Sequence, residues 1–143
     1  MAAFNRFNVF TTDLTNAKHD FSSHTFKMLL TNTAPVATNA VYGDISANEL
    51  AAGNGYTAGG VTLTVTKSNA SGVEKITVSA DPAVTAAGGN VGPFRYGVVY
   101  NNSQTTPNKP LVGWYDRGSS ITLADGEPLT ADFDQAAGFL TFG

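Results

Sequence analysis

The chain has no cysteine, which excludes thiol catalysis, disulfide frameworks and cysteine-based zinc sites. It is also poor in charge: 13% of its 143 residues are Asp, Glu, Lys or Arg, against about a quarter in an average soluble domain. The eight Lys and Arg are scattered from Arg6 to Arg117 and the net charge is −3. No basic stripe is available to neutralise phosphates, so nucleic-acid binding is not expected. No segment approaches the run of about 18 apolar residues that a membrane helix requires. The opening MAAFNRFNVFTTDL has no positive stretch followed by a continuous apolar one, which points to synthesis and folding in a cytoplasm. On that reading the Asn-x-Ser matches at Asn69 and Asn101 are accidental.

What remains is 42% apolar residues, with Gly, Ala, Thr, Asn and Ser making up most of the rest. A surface built from these is polar but nearly uncharged. Electrostatic self-repulsion is weak on such a surface, so contact with copies of the chain or with a larger assembly costs little. The length suits one domain over residues 1–143, able to bury roughly two thirds of its unfolded surface without metal or disulfide help.

Period-two alternation dominates the chain. TFKMLLT sets Phe26, Met28 and Leu30 on one face, and VTLTVTK sets Val61, Leu63 and Val65 against three threonines. VEKITVS follows after an NASG turn, which predicts a hairpin. FRYGVVYN, LVGWYD, SITLA, LTADFD and FLTF are further short strands separated by Gly, Pro, Asn and Asp. About eight strands with little helix predict an all-β fold, an antiparallel jelly-roll-like β-sandwich.

Two segments break the alternation. Phe4, Phe7, Phe10 and Leu14 recur at helical spacing, which predicts a short N-terminal helix or arm over residues 1–22, packed on the domain or on a neighbour. On the arm reading, removing Met1 to Phe10 leaves the sandwich folded and weakens assembly. DISANELAAG, with Asp44 as N-cap and Gly53 as stop, predicts a short helical turn.

The glycine-rich GNGYTAGG, Gly53 to Gly60, lacks the spacing of a phosphate loop and leads into a strand, so it reads as a turn. Tyr56 within it either reaches a partner or folds back to plug the sandwich end. For the hairpin of FRYGVVYN and LVGWYD, pairing Tyr100 with Leu111 sets Val98 opposite Gly113, Tyr96 opposite Tyr115 and Arg95 opposite Asp116. Phe94, Tyr96, Val98, Tyr100, Leu111 and Tyr115 then face the core. Arg95, Val99, Val112, Trp114 and Asp116 share the other side. Trp114 and Arg95 are residue types that dominate binding hot spots, and an indole also stacks on sugars. A second-layer core position for Trp114 stays open as well.

No catalytic constellation can be assembled from these parts. His19 and His24 lack both a nucleophile turn and zinc-ligand spacing, and read as structural or solvent-exposed. Asp132 and Asp134 alternate in TADFDQ, so on a strand both carboxylates point one way, whereas calcium needs a wider set of oxygen ligands and a glycosidase pair faces across a cleft. They read as a solvated strand face. The expectation is a protein that is not an enzyme and uses no cofactor or metal.

Taken in order, FNRFNVFTTDL, LAAGNGYTAGG, GPFRYGVVYN and PLVGWYDRGSSITLADGE resemble a family of small virion proteins of tailed bacteriophages, along nearly the whole chain. The resemblance implies a β-sandwich of the phage head, a decoration or cement protein that binds the outer capsid lattice in many copies. Its implied partners are the major capsid protein and copies of itself, as a trimer or dimer, on the outer head surface of the virion. The family has no active site to transfer. Phe4, Phe7, Phe10, Tyr56, Arg95 and Trp114 are the candidate assembly or binding contacts. The competing reading is a receptor- or glycan-binding module of a tail fibre or baseplate, built on an exposed Trp114.

Overall fold

The clearest alternating run does form strand, but the chain changes sheet in its middle. In the computed structural model, which describes residues 3–143, VTLTVTK divides at Thr64 into β3 (Val61–Leu63) and β4 (Val65–Ala70). β3 pairs with β2 (Phe26–Thr31), whereas β4 pairs with β5 (Val73–Val78). One run thus supplies the edges of two layers, as at the corners of β-sandwiches. The β4–β5 hairpin closes through Ser71 and Gly72, both at positive φ, the backbone that matches strand twist in a two-residue turn.

The principal sheet has five strands. β1 (Phe4–Arg6), β8 (Leu111–Leu123), β7 (Val91–Asn101), β2 and β3 lie side by side, every pairing antiparallel. A three-stranded sheet pairs β10 (Leu140–Phe142), β5 and β4, and a two-stranded ribbon joins β6 (Ala83–Thr85) to β9 (Pro128–Thr130). The inner core unites Phe26, Met28, Leu30 and Val99 of the large sheet with Ile76, Val78 and Leu140 of the small one and Val84 of the ribbon. The fold is therefore an all-β antiparallel sandwich with a short N-terminal helix, α1 (Val9–Thr15). Its described residues form ten strands where alternation indicated about eight. LVGWYD and SITLA are one long strand, and LTADFD is strand only as far as Thr130.

The central hairpin departs from the expected register. Tyr100 does oppose Leu111, but Val99 faces Gly113, Val98 faces Trp114, Gly97 faces Tyr115 and Tyr96 faces Asp116. Val112 is the extra residue of a bulge, and a larger irregularity separates the Tyr96–Asp116 pair from Phe94–Ile121. A single inserted residue exchanges the two faces for everything beyond it. Val99 and Val112, expected on the far side, consequently join Phe94 in the inner core. Val98, Tyr100 and Leu111 lie instead on the outer side, in a second cluster with Phe7, Leu29 and Ile45.

That second cluster is roofed by segments without strand character. The stretch read as a helical turn is two short 3-10 turns, Tyr42–Asp44 and Ser46–Asn48. Asp44 does not cap a following helix. Its Oδ2 accepts the backbone N–H of Ala40 at 2.8 Å and of Val41 at 3.1 Å, closing the turn before it.

Candidate functional site

The N-terminal phenylalanines are not free anchors. β1 adds an edge strand to β8, with Phe4 opposite Tyr115, and the Phe4 ring packs 4.9 Å from Tyr115 and 5.3 Å from Phe139. Gly113 permits this, because a side chain there would strike the Phe4 ring and the Asn5 carbonyl. Phe7 then turns to the outer cluster, 2% exposed, and Phe10 on α1 enters the inner core, fully buried. The helical spacing of the three rings spans a strand, a turn and a helix. The expected arm over residues 1–22 is thus part of the fold, with Met1 and Ala2 lying outside the described residues.

Tyr56 is not a surface contact either. Asn54 and Gly55 form a tight turn at positive φ, bridged by Gly53 and Tyr56, which folds the ring back into the core at 3% exposure. Its hydroxyl accepts the Leu30 N–H at 3.0 Å and donates to Glu49 Oε1 at 2.8 Å. Glu49 also accepts the Tyr42 hydroxyl at 2.6 Å and the Gly59 N–H at 2.6 Å. Burial, reinforced by Glu49, pushes the Tyr42 phenol up to about 12 and the Tyr56 phenol higher still. Both hydroxyls therefore stay protonated as donors. Glu49 ties the glycine loop to the outer cluster, a role that nothing in its local sequence signals.

Arg95 and Trp114 do not gather at one site: Trp114 packs on the outer cluster, whereas Arg95 lines the inner side of the sheet with Met28, Leu30 and Phe94. Arg95 grips Asp116 through Nε at 2.7 Å and Nη2 at 2.9 Å, although Tyr96, not Arg95, is the strand partner of Asp116. The Arg95 guanidinium holds the Asp116 carboxyl below its ordinary range. Trp114 is half-buried, its indole 4.6 Å from the Phe7 ring beneath it. It is neither a residue between the two sheets nor a fully exposed platform. A partly exposed indole on a buried phenylalanine makes a rigid amphipathic contact, and the bidentate Arg95–Asp116 pair is itself about one-third exposed.

Asp134 and the two histidines have partners within the fold, and Asp132 is exposed. Asp132 and Asp134 do not alternate on a strand, since β9 ends at Thr130, and Asp134 Oδ1 caps its own turn by accepting the N–H groups of Ala136 and Ala137. Among the described residues no group of three or more His, Asp or Glu is placed to hold a metal ion. No helix among them is long and apolar enough to cross a membrane. His19 is 7% exposed among Phe10, Phe21 and Phe26. The Asn101 side chain lies within hydrogen-bonding reach of His19 Nδ1 and of His24 Nδ1.

Burial, with a smaller contribution from His24, lowers the His19 pKa from 6.5 to about 4. The unfolded chain therefore takes up this proton first as the solution is acidified. The stability of neutral His19 is fully present above about pH 6.5 and is lost as pH falls toward 4, by up to about 3 kcal/mol. Asp13 opposes part of this loss, because burial raises its carboxyl and favours the folded state in acid. Urea unfolding of the parent and of His19→Gln at pH 7 and pH 4.5 is expected to show a shallower acid loss in the variant. Equal losses would remove His19 as the cause.

No family model, curated protein or solved structure matches this chain. The packing of its layers adds one feature that alternation did not signal, a cavity of about 200 Å³ between the principal sheet and β9 with the residues that follow it. Met28, Leu30, Phe94, Leu129 and Phe133 form its apolar wall, and Tyr115 lines it with a buried hydroxyl that has no hydrogen-bond partner. Burial raises the Tyr115 phenol, with smaller contributions from Asp132 and Asp134, so this hydroxyl is a neutral donor.

Proposed function

We propose that the chain is a non-enzymatic structural protein of a tailed-phage virion, a decoration or cement protein bound in many copies to the outer head lattice. The observation that carries this reading is where its family-like blocks fall. GPFRYGVVYN and PLVGWYDRGSSITLADGE coincide with β7 and β8, the central hairpin of the principal sheet, whose outer face presents Trp114 and whose strands are joined by the Arg95–Asp116 pair. Tryptophan and arginine are the residue types that contribute most at protein contacts. Low surface charge further favours close packing on a lattice and against copies of the chain. The partners on this reading are the major capsid protein and further copies of this chain, arranged as a trimer or dimer.

A second reading, a receptor- or glycan-binding module of the tail, is favoured by the partly exposed Trp114 indole, since a sugar stacks on such a face. Copy number separates the two. Quantitative mass spectrometry of purified particles is expected to give a ratio to the major capsid protein of the same order as one. A handful of copies per particle would move the protein to the tail. Its absence from particles would overturn both readings.

A further inference from the structure

Past the bulge at Val112, neighbouring residues of β8 serve opposite sides of the sheet. Trp114 packs on the outer cluster, whereas Tyr115 packs on the inner core and lines the cavity. The cavity therefore opens on the far side of β8 from the indole, and what it binds does not depend on a virion role.

Three properties define its occupant. An apolar cavity of about 150 Å³ is enough to hold benzene, so about 200 Å³ accommodates one substituted ring or a short branched chain. Among its lining residues, the Tyr115 hydroxyl is the one buried polar side-chain atom without a partner, and an unpaired buried hydroxyl is costly. The wall carries no net charge: Arg95 is held by Asp116, and Arg117 and Asp132 contribute one charge of each sign, with Arg117 donating to Ser119. Neither a carboxylate nor an ammonium would recover its desolvation cost there.

We infer that this cavity binds a small neutral amphipathic molecule, with an aromatic or branched aliphatic body and one hydroxyl or carbonyl group that pairs with the Tyr115 hydroxyl. The test uses the full chain, isotopically labelled, titrated with p-cresol and with toluene, which share a shape and differ by one hydroxyl. Saturable amide shifts are expected at Gly97 and over 129–133. p-Cresol is expected to bind at least about fivefold more tightly than toluene, the margin of one net hydrogen bond. Tyr115→Phe, which keeps the ring, is expected to abolish that preference and leave toluene binding in place. No saturable shift at these amides with either probe, equal affinity for the two, or a preference that survives in Tyr115→Phe would each overturn the inference.

Discussion

Replacing Phe10 by alanine is expected to lower stability by about 3–5 kcal/mol, the range for deleting a buried aromatic ring. Removing every residue up to Phe10 is expected to leave the chain unfolded. Phe10 is fully buried between α1 and the inner core, with His19 5.2 Å and Phe21 6.3 Å from its ring centre. The truncation would also strip β1 from β8 and uncover the outer cluster, where Phe7 lies against Trp114. A stability of about 5–15 kcal/mol, as in ordinary domains, does not survive the loss of two buried rings and an edge strand. Circular dichroism and urea unfolding of both variants check this. A truncated chain that melts cooperatively near the parent midpoint would restore the view of residues 1–22 as a detachable arm.

Gly60→Ala is expected to cost about 3 kcal/mol or more, a large effect for one methyl group, because two penalties coincide. Gly60 has φ +84°, and a Cβ there would collide with the Met28 carbonyl oxygen and sit 2.7 Å from the Leu29 Cα. The obstacle is the backbone of a central strand, which cannot swing aside as a flexible side chain does. Gly53 provides the control: its φ is +131° but nothing lies within 4 Å of an added Cβ. Gly53→Ala therefore carries conformational strain without the collision, and a smaller loss. If thermal or urea melts rank the two variants the other way, the close approach of the glycine loop to β2 is not what holds it.

Local pattern is sufficient for the class of fold and for many of its strands. Polar and apolar residues alternate over Val61–Thr66 and Ile76–Ser79, and the turn between β4 and β5 carries its own signal. The glycine loop is distinguishable from a phosphate loop, since its spacing is legible without a fold. The contact residues are less accessible. Phe7, Phe10 and Tyr56 resemble surface anchors because nothing in their local spacing pairs them with the strands that bury them.

The face assignments go wrong for a definite reason. β2 and β7 are buried on both sides, so Leu29 and Val98 of the outer cluster are as apolar as Met28 and Val99 of the inner core. Alternation then contains no information about which side is which, and the bulge at Val112 has no mark of its own. The cavity beside Tyr115 and the three hydrogen bonds converging on Glu49 join segments far apart in the chain. Local periodicity and turn chemistry act over a few residues and suffice for strands and turns. Burial, register and the pairing of distant polar groups are decided only when the layers close on one another, because each depends on which surfaces lose water together.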